Sequence, residues 1–196
     1  MKMNENGRSM VEMLGVLAII GVLSAGGLAG YSKAMFKHKL NSTMDQITML
    51  VTNIRTMWGS QANYADLTEG RVIQLGIVPA VMGDTSTKLV NPFKGGVTIA
   101  KATVKGSIDG SGFTLTYAGL PSEACIALST ADFGSGAGSG FIGVEVGTTK
   151  TATTIGGEGS AIAGGSSKYG EGQALQMTDA ITACQGTNKS ITWYFY

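Results

Sequence analysis

Residues 6–31 read NGRSMVEMLGVLAIIGVLSAGGLAGY, and the run from Met13 to Tyr31 holds nineteen residues without a charge. That approaches the ~20 residues a helix needs to cross a bilayer. Glu12 stands at the rim of this segment. An ionised carboxylate held in hydrocarbon without a partner costs at least a few kcal/mol, so its presence points to a function and to a positive group that meets it.

Working outward, the chain from Tyr31 to Gly59 continues without proline and places Phe36, Leu40, Met44, Ile47, Val51, Ile54 and Trp58 at spacings of three and four. This is the pattern of an amphipathic helix, with Lys37, Lys39, Asp45 and Arg55 off the stripe. The two segments are therefore expected to form one rod ending near Gly59, where glycine can cap it. Half of such a rod is expected to protrude, and half to lie across whatever the rest of the chain builds. Gly26, Gly27 and Gly30 mark the place of any bend, since glycine costs a helix ~1 kcal/mol against alanine.

The remaining chain is one domain's worth of a 196-residue sequence. Its charged fraction of 14% is well below the ~25% of an average soluble protein, and the net charge is +1. There is no basic face for nucleic acid and no acidic tail. Gly is abundant at 30 residues, Pro scarce at 3, and Ser and Thr crowd the region from Ser107 to Ser167. Short strands joined by long loops follow, with a weakly charged surface suited to packing against copies of itself. Cys125 and Cys184 lie beyond the apolar segment. If that part is exported to an oxidising compartment, one disulfide is the simplest pairing; two buried thiols are the alternative in a reducing one.

Along the later chain, DLTEGRVIQLG reads as a short helix and NPFKGG as a turn. VTIAKATV and FTLTYAGL read as an antiparallel hairpin across KGSIDGSG. PSEACIALSTAD reads as a helix with Pro121 near its first turn and Glu123 favouring its dipole. FIGVEV reads as a strand, and Thr148 to Gly172 as loop. QMTDAITACQG reads as a helix with Thr178 at its N-cap, and KSITWYFY as a closing strand, too apolar for an exposed edge and so expected at the centre of the sheet beneath the long helix.

Residues able to do chemistry are few. His38 is the single histidine and stands between Lys37 and Lys39, so no metal set forms around it. DGSG at Asp109 fits a hairpin turn better than a calcium loop. GSGAGSG at Gly134 to Gly140 lacks the lysine and the strand context of a phosphate loop. Met44, Met49 and Met57 belong to the helix core or its border. With no nucleophile, base and orienter to assemble, neither an enzyme nor a cofactor is expected.

These features together resemble the type IV pilins. That family's precursor carries a short polar leader ending in Gly, is cut after it by a prepilin peptidase, and has Glu fifth in the mature chain. Here MKMNENG ends at Gly7, and RSMVE places Glu12 fifth after it. NPFKGG, EACIAL, AITACQ and ITWYFY, in that order, are similar to the type IVb branch. The resemblance implies an α+β fold, a long helix packed on an antiparallel sheet. It implies a leader at residues 1–7, a helix at 8–59 with 8–31 in the membrane or filament core and 32–59 amphipathic, and a head at 60–196. It further implies that Glu12 pairs with the amino group freed at Arg8 of a neighbouring subunit, the Arg8 guanidinium being a second cation within reach. The implied partners are identical subunits in a homopolymer, the peptidase, the assembly platform, the secretin, and the inner membrane before assembly. The head is implied to be periplasmic in the precursor and at the cell surface in the pilus. A minor pilin or secretion pseudopilin is the related alternative. A secreted binding domain with a signal-peptidase site at LSAGGLAG is the unrelated one.

Overall fold

The computed structural model describes residues 10–80, 82, 88–104, 107–134, 140–147, 154–155, 168–169 and 172–196. The chain divides into two units, Met1–Lys39 and Leu40–Tyr196, and helix α1 (Met10–Trp58) contributes to both.

In the first unit α1 is the whole of the described structure. Every side chain from Met10 to Met35 is exposed, among them Leu14, Leu17, Ile19, Ile20, Val22 and Leu23. Among the described residues of the unit nothing covers this surface, and a bare apolar run of this length requires lipid or other helices around it. The helix is long and apolar enough to cross a membrane. Gly26, Gly27 and Gly30 remain helical, so the helix does not melt there.

The second unit sets the rest of α1 against a sheet. Thr43, Gln46, Ile47, Leu50, Val51, Ile54 and Trp58 are its buried residues. The expected stripe is thus right at Ile47, Val51, Ile54 and Trp58 but rotated at its start. Phe36, Leu40 and Met44 are only partly covered, while polar Thr43 and Gln46 face inward. Apolar periodicity cannot register a polar side chain on the buried face.

The helix α2 (Glu69–Gln74) begins at Thr68, whose hydroxyl accepts from the Arg71 amide as an N-cap. Strands β1 (Leu89–Val90), β2 (Gly96–Val104) and β3 (Gly112–Leu120) follow as an antiparallel meander. Then come α3 (Ser122–Ser129), β4 (Phe141–Gly147), the short β5 (Thr154–Ile155) and β6 (Lys168–Tyr169), α4 (Met177–Ala183) and β7 (Lys189–Phe195). The sheet order is β1-β2-β3-β7-β4-β6, and β5 pairs parallel with β2. The last strand is therefore central, flanked antiparallel by β3 and β4. Two short pairings, β5 and β6, arise in the tract read as loop, whose other residues from 148 to 171 lie outside those described. The N-cap of α4 is Gln176, with no side-chain cap bond, rather than Thr178. Pro121 caps α3.

Strand alternation divides the central sheet into two faces. On the face toward α1, Phe113, Phe195 and Phe141 lie across adjacent strands in register, with ring centroids 5.3 and 5.5 Å apart. Trp193 packs edge-on to Tyr117 at 5.6 Å and to Phe133 at 5.5 Å. Such pairs contribute ~0.5–1.5 kcal/mol each beyond the area they bury. Ile47, Leu50, Ile54 and Trp58 join these residues in one core.

Candidate functional site

Glu12 lies in the first turn of α1 and is exposed. The unpaired amides at a helix N-terminus favour a carboxylate there. Gly7 and Arg8, expected as the cleavage site and as the source of Glu12's partner, lie outside the described residues. At the other end of the apolar run Lys33, Lys37 and His38 are exposed on the same helix.

In the second unit Cys125 and Cys184 form a disulfide that joins α3 to the end of α4, with Cα atoms 5.7 Å apart. Both half-cystines are fully buried. The helical spacing of buried positions in SEACIALS puts Ala124, Cys125, Leu128 and Ser129 inward, and Cys184 closes α4 as its C-cap. The Ser122 hydroxyl donates to the Gly186 carbonyl and ties the same two segments together.

The NPFKGG stretch forms a clamp. Buried Asn91 accepts at Oδ1 from the amides of Phe93 and Gly95, at 2.9 and 3.0 Å. Its Nδ2 donates to the Ala118 carbonyl on β3 at 2.8 Å. Gly95 lies so close to Ala118 that a side chain there would strike its carbonyl, and the register of β3 with β7 shifts between Tyr117 and Leu120 at the same place. The turn thus pins β1 and β2 to the irregular end of β3. DGSG is a hairpin turn, as expected. Lys101 donates to Asp109 at 2.8 Å, and so does the Thr103 hydroxyl. The Lys101 and Thr103 hydrogen bonds hold the exposed Asp109 carboxyl below the usual carboxylate range.

Over residues 33–192 the sequence matches the family model described as Bundlin. The chain belongs to that family. It is 25% identical over 190 residues to the major structural subunit of the bundle-forming pilus of Escherichia coli O111:H-, covering 96% of this chain and 92% of the relative. The same subunit from Escherichia coli O127:H6 aligns equally. Among solved structures, TcpA, a type IV pilin from Vibrio cholerae El Tor biotype, aligns with a TM-score of 0.58 at 17% identity, covering 81% of this chain and 99% of that one. The type IVb pilin of Salmonella typhi aligns with a TM-score of 0.52 at 21% identity, covering 78% and 97%. The fold is that of the type IV pilins, a long apolar N-terminal helix packed on an antiparallel sheet.

Two features of this Bundlin-family chain escaped sequence reading. On the sheet face away from α1, Tyr194 donates to Glu145 at 2.6 Å, both side chains being buried. Thr116 and Thr192 bond each other beside them at 2.8 Å. Burial pushes the Tyr194 phenol up, reinforced by its hydrogen bond to Glu145 and by that residue's charge. The second feature is Arg55, whose guanidinium lies over the Phe195 ring at 5.4 Å while Nε donates to the Tyr196 carbonyl. Burial lowers its pKa, opposed by the charge of Tyr64. Arg55 borders a cleft of about 380 Å³ lined also by Met44, Thr48, Val51, Thr52, Ala131, Asp132, Phe133 and Phe195. Alternation along β4 and β7 could have placed Glu145 and Tyr194 on one face; nothing in the sequence pairs them.

Proposed function

We propose that the chain is the structural subunit of a type IV pilus. The precursor enters the inner membrane with its head on the periplasmic side. Prepilin peptidase removes residues 1–7 by cutting after Gly7, and the new amino group of Arg8 is methylated. Residues 8–59 then serve as the long helix, of which 8–31 lies in the membrane and later in the filament core. Residues 60–196 form the head that tiles the outside. An assembly platform and a secretin pass the homopolymer to the cell surface, where it serves adhesion, aggregation or motility.

The observation that carries this reading is the helix from Met10 to Met35 with every side chain uncovered, joined to a disulfide-bonded head. Packing against copies of itself covers that surface once the helix leaves lipid. Cleavage creates a cation at the end of the same helix, and Glu12 on a neighbour satisfies it as both leave water. The naming of the E. coli relatives as major structural subunits supports a major pilin over a minor one.

The test is the intact mass and N-terminal sequence of the protein recovered from sheared cell-surface material. A chain beginning at Arg8, with or without one methyl, is expected. A chain beginning near Ala25 or Gly30 means signal-peptidase cleavage, and the pilin reading would be abandoned.

A further inference from the structure

We propose that Lys33 and Lys37 form a docking patch for the phosphates of anionic phospholipids, and that this contact sets the depth of the apolar helix in the membrane before assembly. The inference rests on the membrane-inserted precursor described above.

Spacing is the first argument. From Glu12 to Lys33 there are 21 residues of unbroken helix, which at ~1.5 Å each span about 32 Å. The hydrocarbon of a bilayer is ~30 Å thick. Glu12 and Lys33 therefore reach opposite headgroup layers at once, with little tilt. Tyr31, exposed and two residues before Lys33, falls at the depth where aromatic side chains anchor.

Second, the helix around the two lysines supplies no counter-charge. Lys33 and Lys37 are one helical turn apart and repel each other. The positions three and four residues from either hold Ala29, Gly30, Ala34, Phe36, Leu40 and Asn41 besides the lysines themselves. No acidic residue occurs between Glu12 and Asp45. Asp45 is eight residues past Lys37, about 12 Å of helix rise, beyond the ~8 Å screening length of physiological salt. Both lysines are exposed, and among the described residues neither joins an ion pair. Lys39 already interacts within the chain and is left out of the patch.

Third, positive charge just beyond a membrane segment on the translocated side runs against the bias that normally orients such segments. A headgroup contact accounts for it. Lysine suits the task, since its apolar stem lies along the hydrocarbon edge while the ammonium reaches the phosphate. The consequence for assembly is that Glu12 waits at the opposite headgroup layer, and extraction of the subunit into the filament must break the lysine contacts.

The test places the full disulfide-bonded chain in vesicles of equal parts phosphatidylcholine and phosphatidylglycerol, and compares the fractions of spin-labelled lipid of each kind that the protein immobilises. Preference for phosphatidylglycerol is expected to be several-fold, up to about fivefold per lysine, and to fall in high salt. Lys33→Gln/Lys37→Gln should bring the ratio close to one, and Lys33→Arg/Lys37→Arg should keep it. An unmodified chain with no preference, or a glutamine variant that retains it, overturns the proposal. So does loss of filaments in the glutamine variant without any lipid preference, which would assign the lysines to carboxylates of a neighbouring copy. If neither lipid is immobilised, the chain is not in the bilayer, and it is the membrane reading itself that fails.

Discussion

Gln46 is buried on α1 with neither its amide nitrogen nor its oxygen hydrogen-bonded. A buried polar group left unsatisfied costs ~1–3 kcal/mol, so Gln46→Leu, similar in volume, should raise stability by about 1 kcal/mol or more, read as a higher denaturant midpoint of the detergent-solubilised chain. The opposite result would mean the site admits water. Two phenols act through pH. Burial raises the pKa of Tyr117, and burial with the Glu145 contact raises that of Tyr194. Each phenol stays neutral in the folded chain at pH values where the unfolded chain, with an ordinary value of ~10, ionises. The folded state then binds more protons, so stability is complete below pH ~10 and falls above it, by at most ~1.4 kcal/mol per pH unit per residue. Tyr117→Phe should leave stability at neutral pH nearly unchanged and make the alkaline fall shallower. Absorbance titration of the folded chain checks the same point, since neither phenol should ionise until unfolding.

Among the elements, α3 and α4 are each about two turns of helix, too short to persist alone, and the Cys125–Cys184 bond joins them across a separation of 59 residues. In the chain-entropy account that closure stabilises by roughly 4 kcal/mol, and removal of such a bond from a small exported domain costs ~2–5. The double change Cys125→Ala/Cys184→Ala should therefore lower the unfolding midpoint strongly, and reduction of the unaltered chain should do the same. The two cysteines, the hairpin of β2 and β3, and the central place of β7 were legible because each rests on a local signal: a residue type, a turn, or an apolar run too long for an edge. β5 and β6 were not, since two-residue pairings arise from distant chain meeting the sheet and leave no period behind. The N-cap of α4 escaped for a related reason. Gln176 sits there without a side-chain bond, while Thr178 has the preferred chemistry and the wrong position.

For the molecule as a whole, the long helix was legible because a proline-free run joins an uncharged segment to an amphipathic one. Glu12 stands out in the sequence as a single charge at the edge of that run, and the structure places it in the first turn of α1. The Tyr194–Glu145 pair was not legible, since strand alternation assigns a face but never a partner. Glu12 also yields the prediction on which the assembly mechanism turns. Its carboxylate is exposed in the first turn of a helix whose side chains from Met10 to Met35 are all uncovered, and folding of the second unit draws on none of them. Glu12→Ala should thus leave membrane insertion, cleavage after Gly7 and disulfide formation intact. Removing the partner of a buried cation costs ~3–5 kcal/mol, which at each subunit addition is a factor of more than a hundred against growth. Processed Glu12→Ala subunits should accumulate in the membrane, with sheared filaments nearly absent by electron microscopy. A mixture with unaltered subunits should assemble in proportion to the unaltered share, because each pairing needs one intact carboxylate. Abundant filaments from the variant alone would overturn the proposed pairing of Glu12 with an amino group freed at Arg8.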